Sequence, residues 1–298
     1  MEYHLLGKSD LKISHVGFGC MSLDATDPGA EKVLREAFSL GINYFDTADL
    51  YQHGMNEELL GRAFRGKRDR VILASKAGNQ WRPDGKGWDW NPSPKYILEC
   101  VDRSLRRLQT DYIDLYQLHG GTIDDPIEEI IETFEWLKEQ GKIRYYGISS
   151  IRPNVIREYA NRSQIVSVMM QYSLLDRRPE EEMLDLLLKD GIGVLARGSL
   201  ATGLLVSKPP VPFLDYSAEQ VERAAEGIRK LSDEKRKPTQ TALLFVLQQS
   251  AIASAVVGIR TMDHLQEALL AVDSRKLKKE ELELLEQILP VNKYAQHR

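Results

Sequence analysis

Only two cysteines, Cys20 and Cys100, occur in 298 residues, too few for a disulfide framework or a cysteine-based zinc site. No apolar run approaches the roughly 18 uninterrupted residues of a membrane span. The opening Met1-Glu2-Tyr3-His4 carries no basic segment leading into an apolar one, so no secretory signal is expected. Positive charge is not in excess: 40 Lys and Arg stand against 44 Asp and Glu, a formal net charge of −4. That balance argues against a nucleic-acid partner, which demands a basic face. The six histidines show no H-E-x-x-H or comparable ligand spacing, so no metal is expected. No Pro-, Gly- or Ser-rich linker divides the chain. These absences imply a cytoplasmic globular protein, with residues 1–298 forming one domain.

What is present is alternation. Short apolar runs read as strands at 16–20, 44–48, 71–76, 113–119, 144–149, 166–171, 193–196 and 253–258. Between them, amphipathic stretches predict helices at 30–40, 57–64, 94–108, 126–140, 153–161, 179–189, 239–249 and 264–271. Gly41, Gly141 and Gly191 follow three of these stretches, where a left-handed cap is wanted. Strand-then-helix units in this number predict an α/β fold, a (β/α)8 TIM barrel. Segment 3–13 reads as an N-terminal β-hairpin placed to plug the barrel floor. Two added helices are expected near 218–231 and 279–289, and segments 79–94 and 200–237 as insertions on the active face. The rival is an open dinucleotide-binding sheet, which wants G-x-G-x-x-G after its first strand; Gly17-Phe18-Gly19-Cys20-Met21-Ser22 lacks the third glycine.

Barrel enzymes work at the C-terminal ends of their strands, so polar residues there are suspects. Lys76 ends an apolar strand, and an ammonium so placed needs a carboxylate, because an isolated buried charge is costly. Asp46, one strand away, is a plausible partner. A held cation beside the Tyr51 phenol would lower its pKa and let it pass a proton to a substrate oxygen. His119 could give that oxygen a second hydrogen bond. The plainer reading makes Asp46–Lys76 a structural ion pair, Tyr51 a loop aromatic and His119 a satisfied strand-end histidine. A different chemistry, Schiff-base lysis with Lys76 as nucleophile, also fits a lone strand-end lysine, although an Asp46 partner would oppose it by keeping the amine protonated.

At these residues the sequence resembles the aldo-keto reductase superfamily, most nearly its bacterial stress-protein-like branch. The resemblance runs through Val16-Gly17-Phe18-Gly19-Cys20-Met21-Ser22, then Gly41-Ile42-Asn43-Tyr44-Phe45-Asp46-Thr47-Ala48-Asp49-Leu50-Tyr51. It continues at Ser75-Lys76, at Asp111-Tyr112-Ile113-Asp114-Leu115-Tyr116-Gln117-Leu118-His119 and at Ile143-Arg144-Tyr145-Tyr146-Gly147-Ile148-Ser149. It implies NADPH-linked reduction of a small aldehyde or ketone to an alcohol by direct hydride transfer, with NADPH preferred over NADH. Tyr51 would be the general acid, Lys76 would tune it, Asp46 would pair Lys76, and His119 would place the carbonyl.

The same resemblance puts Gly19, Cys20 and Met21 at the nicotinamide, with Ser149 and Gln171 on its carboxamide; Ser150 stands where many members have Asn. Gly198, Ser199, Leu200, Thr202 and Gly203 match the loop over the pyrophosphate. Arg197 replaces a usual stacking aromatic, and can stack on a flat ring, pair with a phosphate or bridge to another rim residue. Gly258, Arg260, Thr261, His264 and Glu267 fall in the adenosine-phosphate segment, His264 and Ala268 replacing a common Gln and Asn. Trp81, Trp88 and Trp90, three of the four tryptophans, crowd one insertion and suggest an apolar substrate wall, or else rings that anchor a long loop. A redox-sensing or regulatory subunit that holds NADP with little turnover is the other function such a chain could serve.

Overall fold

The computed structural model describes all 298 residues. A hairpin of β1 (Tyr3–Leu5) and β2 (Lys12–Ser14) precedes β3 (Val16–Gly19), α1 (Ala30–Ser39), β4 (Tyr44–Asp46), α2 (Met55–Ala63) and β5 (Ile72–Ala77). A second hairpin, β6 (Asn79–Trp81) and β7 (Trp88–Trp90), leads to α3 (Pro94–Leu108) and β8 (Ile113–Leu118). There follow α4 (Ile127–Glu139), β9 (Ile143–Ser149), α5 (Pro153–Arg162), β10 (Ser167–Gln171), α6 (Met183–Lys189) and β11 (Gly193–Arg197). The chain ends with α7 (Ala218–Lys230), α8 (Pro238–Leu247), β12 (Ile252–Gly258), α9 (Met262–Asp273) and α10 (Lys279–Ile288). No helix is long and apolar enough to cross a membrane.

The parallel strands close into a barrel in the order β3-β4-β5-β8-β9-β10-β11-β12. This is the expected (β/α)8 TIM barrel, with its N-terminal hairpin and with α7 and α10 as the added helices. The hairpin does plug the floor. Its Leu6, Leu11 and Ile13 are fully buried and join Tyr44, Ala74, Leu115, Met169 and Leu195 inside the barrel. Burying each such side chain contributes ~1.5–3 kcal/mol. The turn demands glycine: Gly7 has φ +55°, and a Cβ there would lie 2.2 Å from the Val166 carbonyl oxygen.

Helix starts follow their caps. Ser93 accepts a hydrogen bond from the Tyr96 amide, Pro94 occupies the first turn, and α3 then buries Ile97, Cys100, Val101, Ser104 and Leu108 along one face. Gly41, Gly141 and Gly191 all take positive φ after their helices. One boundary departs from the sequence reading, which starts the sixth helix at residue 179, whereas α6 begins at Met183. Arg178 pairs with Asp176 and Arg177 with Glu180, both at 2.7 Å, locking a separate single turn over Arg178–Glu181. Glu182, at φ −155°, interrupts the helix between them.

The added helices are tied down by a buried charge. Arg236, 1% exposed, donates to Glu281 at 2.8 Å, and Arg275 donates to the same carboxylate. These two guanidinium groups hold the Glu281 carboxyl well below the usual range. Its stabilisation is therefore complete above the unfolded value near 4.3 and is lost as pH falls below it. Glu281→Gln is expected to lose about 2 kcal/mol at pH 7. Urea midpoints should show the gap between variant and wild type narrowing steadily below about pH 4.

Candidate active site

Three adjacent strands deliver the central charges. Asp46 is the last residue of β4 and stands opposite Ala74 of β5. Lys76 lies two residues further along β5, opposite Gln117 of β8. Lys76 is fully buried; its Nζ bonds the Asp46 carboxylate and donates to the Thr47 carbonyl at 2.8 Å. Gln117 Nε2 donates to the other Asp46 oxygen at 3.2 Å, and Tyr44 Oη approaches it at 3.4 Å. The remaining Nζ contact is Tyr51 Oη, 3.4 Å away. His119 follows β8, its amide donating to the Ala77 carbonyl at 2.7 Å, and its ring meets that of Tyr51 edge-on at 5.9 Å. The structure thus brings all four expected residues together at one rim.

Tyr51 is aimed by an unusual turn. Gln52, His53 and Gly54 are successively left-handed, with φ of 50°, 55° and 90°. Two non-glycine residues in that region are costly unless their surroundings over-determine them. Gln52 supplies part of that constraint by accepting from the Ala25 amide at 3.0 Å. His53 supplies more, stacking on Trp81 at 3.8 Å between ring centroids, while Trp81 Nε1 donates to the Leu50 carbonyl.

Burial dominates the titrations. Burial alone would lower Lys76, but Asp46 and Tyr51 together lift it, so the ammonium is held charged. Tyr51 corrects a sequence expectation. Its pKa is raised rather than lowered, because loss of hydration outweighs the downward pull of Lys76. His119 is pushed down to about 3 by burial and then by Lys76 and Arg197, which leaves a neutral imidazole; its buried Nδ1 has no partner. Beneath the turn, burial and then Glu57 push Asp49 up to about 7.

The residues expected to hold a cofactor line the same rim. Gly19, Cys20 and Met21 leave β3, with the Cys20 side chain buried and Met21 67% exposed. Gly258, at the end of β12, faces Ser22: a Cβ on it would come within 3.0 Å of the Ser22 hydroxyl, which is buried without a partner. Ser149 and Gln171 end β9 and β10, and Arg197 donates to the Gln171 side chain at 3.3 Å. Gly198, Ser199, Leu200, Thr202 and Gly203 form the following loop, where Ser199 Oγ is likewise buried and unpartnered. Arg260 and Thr261 are exposed just before α9, and Thr261 Oγ accepts from the His264 amide. Glu267 accepts instead from Thr239, which ties α9 to α8. Unpartnered hydroxyls beside side-chain-free glycines fit a polar, phosphate-bearing cofactor.

The tryptophans divide. Trp90 donates to Asp125 at 2.9 Å and packs over Gly78 and Gly120, anchoring the inserted hairpin. Trp81 braces the Tyr51 turn, and Trp88, opposite it in the hairpin, is 48% exposed. Sequence reasoning assigned no role to Tyr44, Gln117 or Asp49. The available signal was a polar residue facing inward in an otherwise apolar strand, as at Gln117.

A parallel barrel with a lysine–carboxylate pair, a tyrosine and a histidine at its C-terminal rim has the layout of a barrel enzyme that acts on small molecules. The chain belongs to the aldo/keto reductase family, whose sequence model matches residues 15–290. It is 49% identical to the uncharacterized oxidoreductase YqkF of Bacillus subtilis, with all of both chains covered. Against the holo form of aldo-keto reductase AKR11C1 from Bacillus halodurans it has a TM-score of 0.94 at 48% identity, covering 100% and 99% of the two chains; against the apo form the score is 0.86. Aldo-keto reductase yakc of Schizosaccharomyces pombe, whose name carries NADP(+), is 32% identical over 85% of this chain and 82% of that protein.

Proposed function

We propose that this chain uses NADPH to reduce an aldehyde or ketone to its alcohol, with Tyr51 as the proton donor and residues 1–298 acting as one catalytic unit. The carrying observation is the Tyr51 hydroxyl held 3.4 Å from a buried, charged lysine beside an unpartnered neutral histidine. When bound, the reduced nicotinamide supplies the hydride. Tyr51 stays a phenol through neutral pH and so has a proton to give. Lys76 then stabilises the phenolate that remains, and Asp46 keeps Lys76 in place and charged. His119, neutral, has a donor free for the carbonyl oxygen. The same Asp46–Lys76 pairing opposes Schiff-base chemistry, which needs a free amine. Two buried thiols suit a reducing, cytoplasmic setting.

Support for the cofactor comes from the bare glycines and unpartnered hydroxyls of the rim. Arg260 and Thr261, next to the start of α9, suit a ribose 2′-phosphate. The test is fluorescence titration with NADPH and with NADH, followed by NADPH consumption over an aldehyde panel. NADPH should bind more tightly. Arg260→Ala should weaken NADPH roughly tenfold, matching loss of about 1.4 kcal/mol from a charged hydrogen bond, and leave NADH unchanged. Equal binding of both cofactors by the wild type would reject the preference. Tight NADPH binding with no turnover on any aldehyde would favour the regulatory reading.

A further inference from the structure

At the opposite end of the barrel from the candidate active site, the floor hairpin gathers two histidines and a carboxylate. The His15 amide donates to the Glu2 carbonyl at 2.9 Å, which makes these two residues cross-strand neighbours. His4, in β1, lies two residues from Glu2, which immediately precedes that strand, so in extended backbone the two side chains fall on one face. The three side chains converge: Glu2 Oε2 is 3.9 Å from His4 Nε2 and 3.8 Å from His15 Nδ1, and all three ligand atoms lie within 4.8 Å of one another. The two imidazole rings sit 4.1 Å apart.

We propose that Glu2, His4 and His15 form a binding site for a zinc-class divalent transition-metal ion. Two imidazoles and one carboxylate are a known donor set for zinc, which leaves its fourth position to water. Donors about 2.0–2.2 Å from a tetrahedral ion stand roughly 3.3–3.6 Å apart. The two Glu2–histidine pairs must therefore close by about half an ångström, and the two imidazole donors, within 4.8 Å of each other, by at most about 1.5 Å through rotation of the exposed His4 side chain. The second Glu2 oxygen already faces Lys276 at 3.6 Å, in the loop between α9 and α10, leaving Oε2 for the ion. Bound metal would fasten both strands of the floor hairpin and, through Glu2, the loop before α10. Linear spacing hides the site, because its residues meet only through the hairpin register.

The test uses full-length protein purified without a polyhistidine tag and stripped with chelator. Calorimetric titration with zinc chloride should show one saturable site, and thermal unfolding should shift upward with zinc and return on adding chelator. His15 is buried, so the informative variants are His4→Ala and Glu2→Gln. Each should bind zinc at least roughly tenfold more weakly and lose the thermal shift, while reductase turnover stays at the wild-type level. His297→Ala should behave as wild type. Absence of a saturable site, or zinc binding that survives His4→Ala and Glu2→Gln, overturns the proposal.

Discussion

Tyr51→Phe is expected to lower kcat for carbonyl reduction by roughly 10²–10⁴-fold while NADPH affinity and thermal stability stay nearly unchanged. The change removes one oxygen atom. That oxygen's protein partner is Lys76, at a long 3.4 Å, and Lys76 keeps both Asp46 and the Thr47 carbonyl without it. The ring remains and still meets His119 edge-on, so the turn over Tyr51–Gly54 has no reason to move. What disappears is the only proton that the rim can deliver beside a charged lysine. His119 is no substitute, since burial and neighbouring cations hold it neutral. Its spare hydrogen bond can orient a carbonyl but returns no proton to an alkoxide at a useful rate. Steady-state kinetics with an aldehyde, beside a fluorescence titration of NADPH, separates the two effects. Turnover that survives the substitution would remove Tyr51 from the mechanism.

The barrel was legible because its strands are short apolar runs separated by helices whose ends carry proline, serine or glycine signals. The Asp46, Tyr51, Lys76 and His119 cluster was legible because each residue sits where a strand stops, and strand ends share one rim whatever the loops do. Direction of titration was not legible. Sequence places a cation near Tyr51, but only the fold says that the phenol is also stripped of water, and that loss is the larger effect. The left-handed run at Gln52 and His53 was equally hidden, because neither residue type calls for it; the constraint comes from Ala25 and Trp81, which are remote in the chain. Gln117 needed register as well, since its partner Asp46 lies two strands away. The hairpin β6–β7 did leave a trace: Pro83-Asp84-Gly85 is a turn sequence between two tryptophan-bearing segments.

Lys76→Met separates what the buried pair does for folding from what it does for catalysis. Methionine is close to lysine in length and fills the same channel, so packing changes little. The charge is another matter. Asp46, 4% exposed, would keep Gln117 and Tyr44 as hydrogen-bond partners but lose its counter-ion. Breaking one side of such a pair typically costs about 3–5 kcal/mol, and the variant should show that loss in its urea midpoint. Adding Asp46→Asn removes the stranded carboxylate, and the double variant should recover most of the lost stability. Turnover should not recover. Without the ammonium the phenolate left on Tyr51 keeps only the smaller pull of Arg197, and loss of such electrostatic stabilisation is expected to lower kcat by about 10²–10³-fold in the single and double variants alike. If activity returned together with stability, Lys76 would be a structural residue alone. If stability returned and activity did not, the ammonium would be acting on the Tyr51 proton, as its 3.4 Å approach to the phenol oxygen suggests.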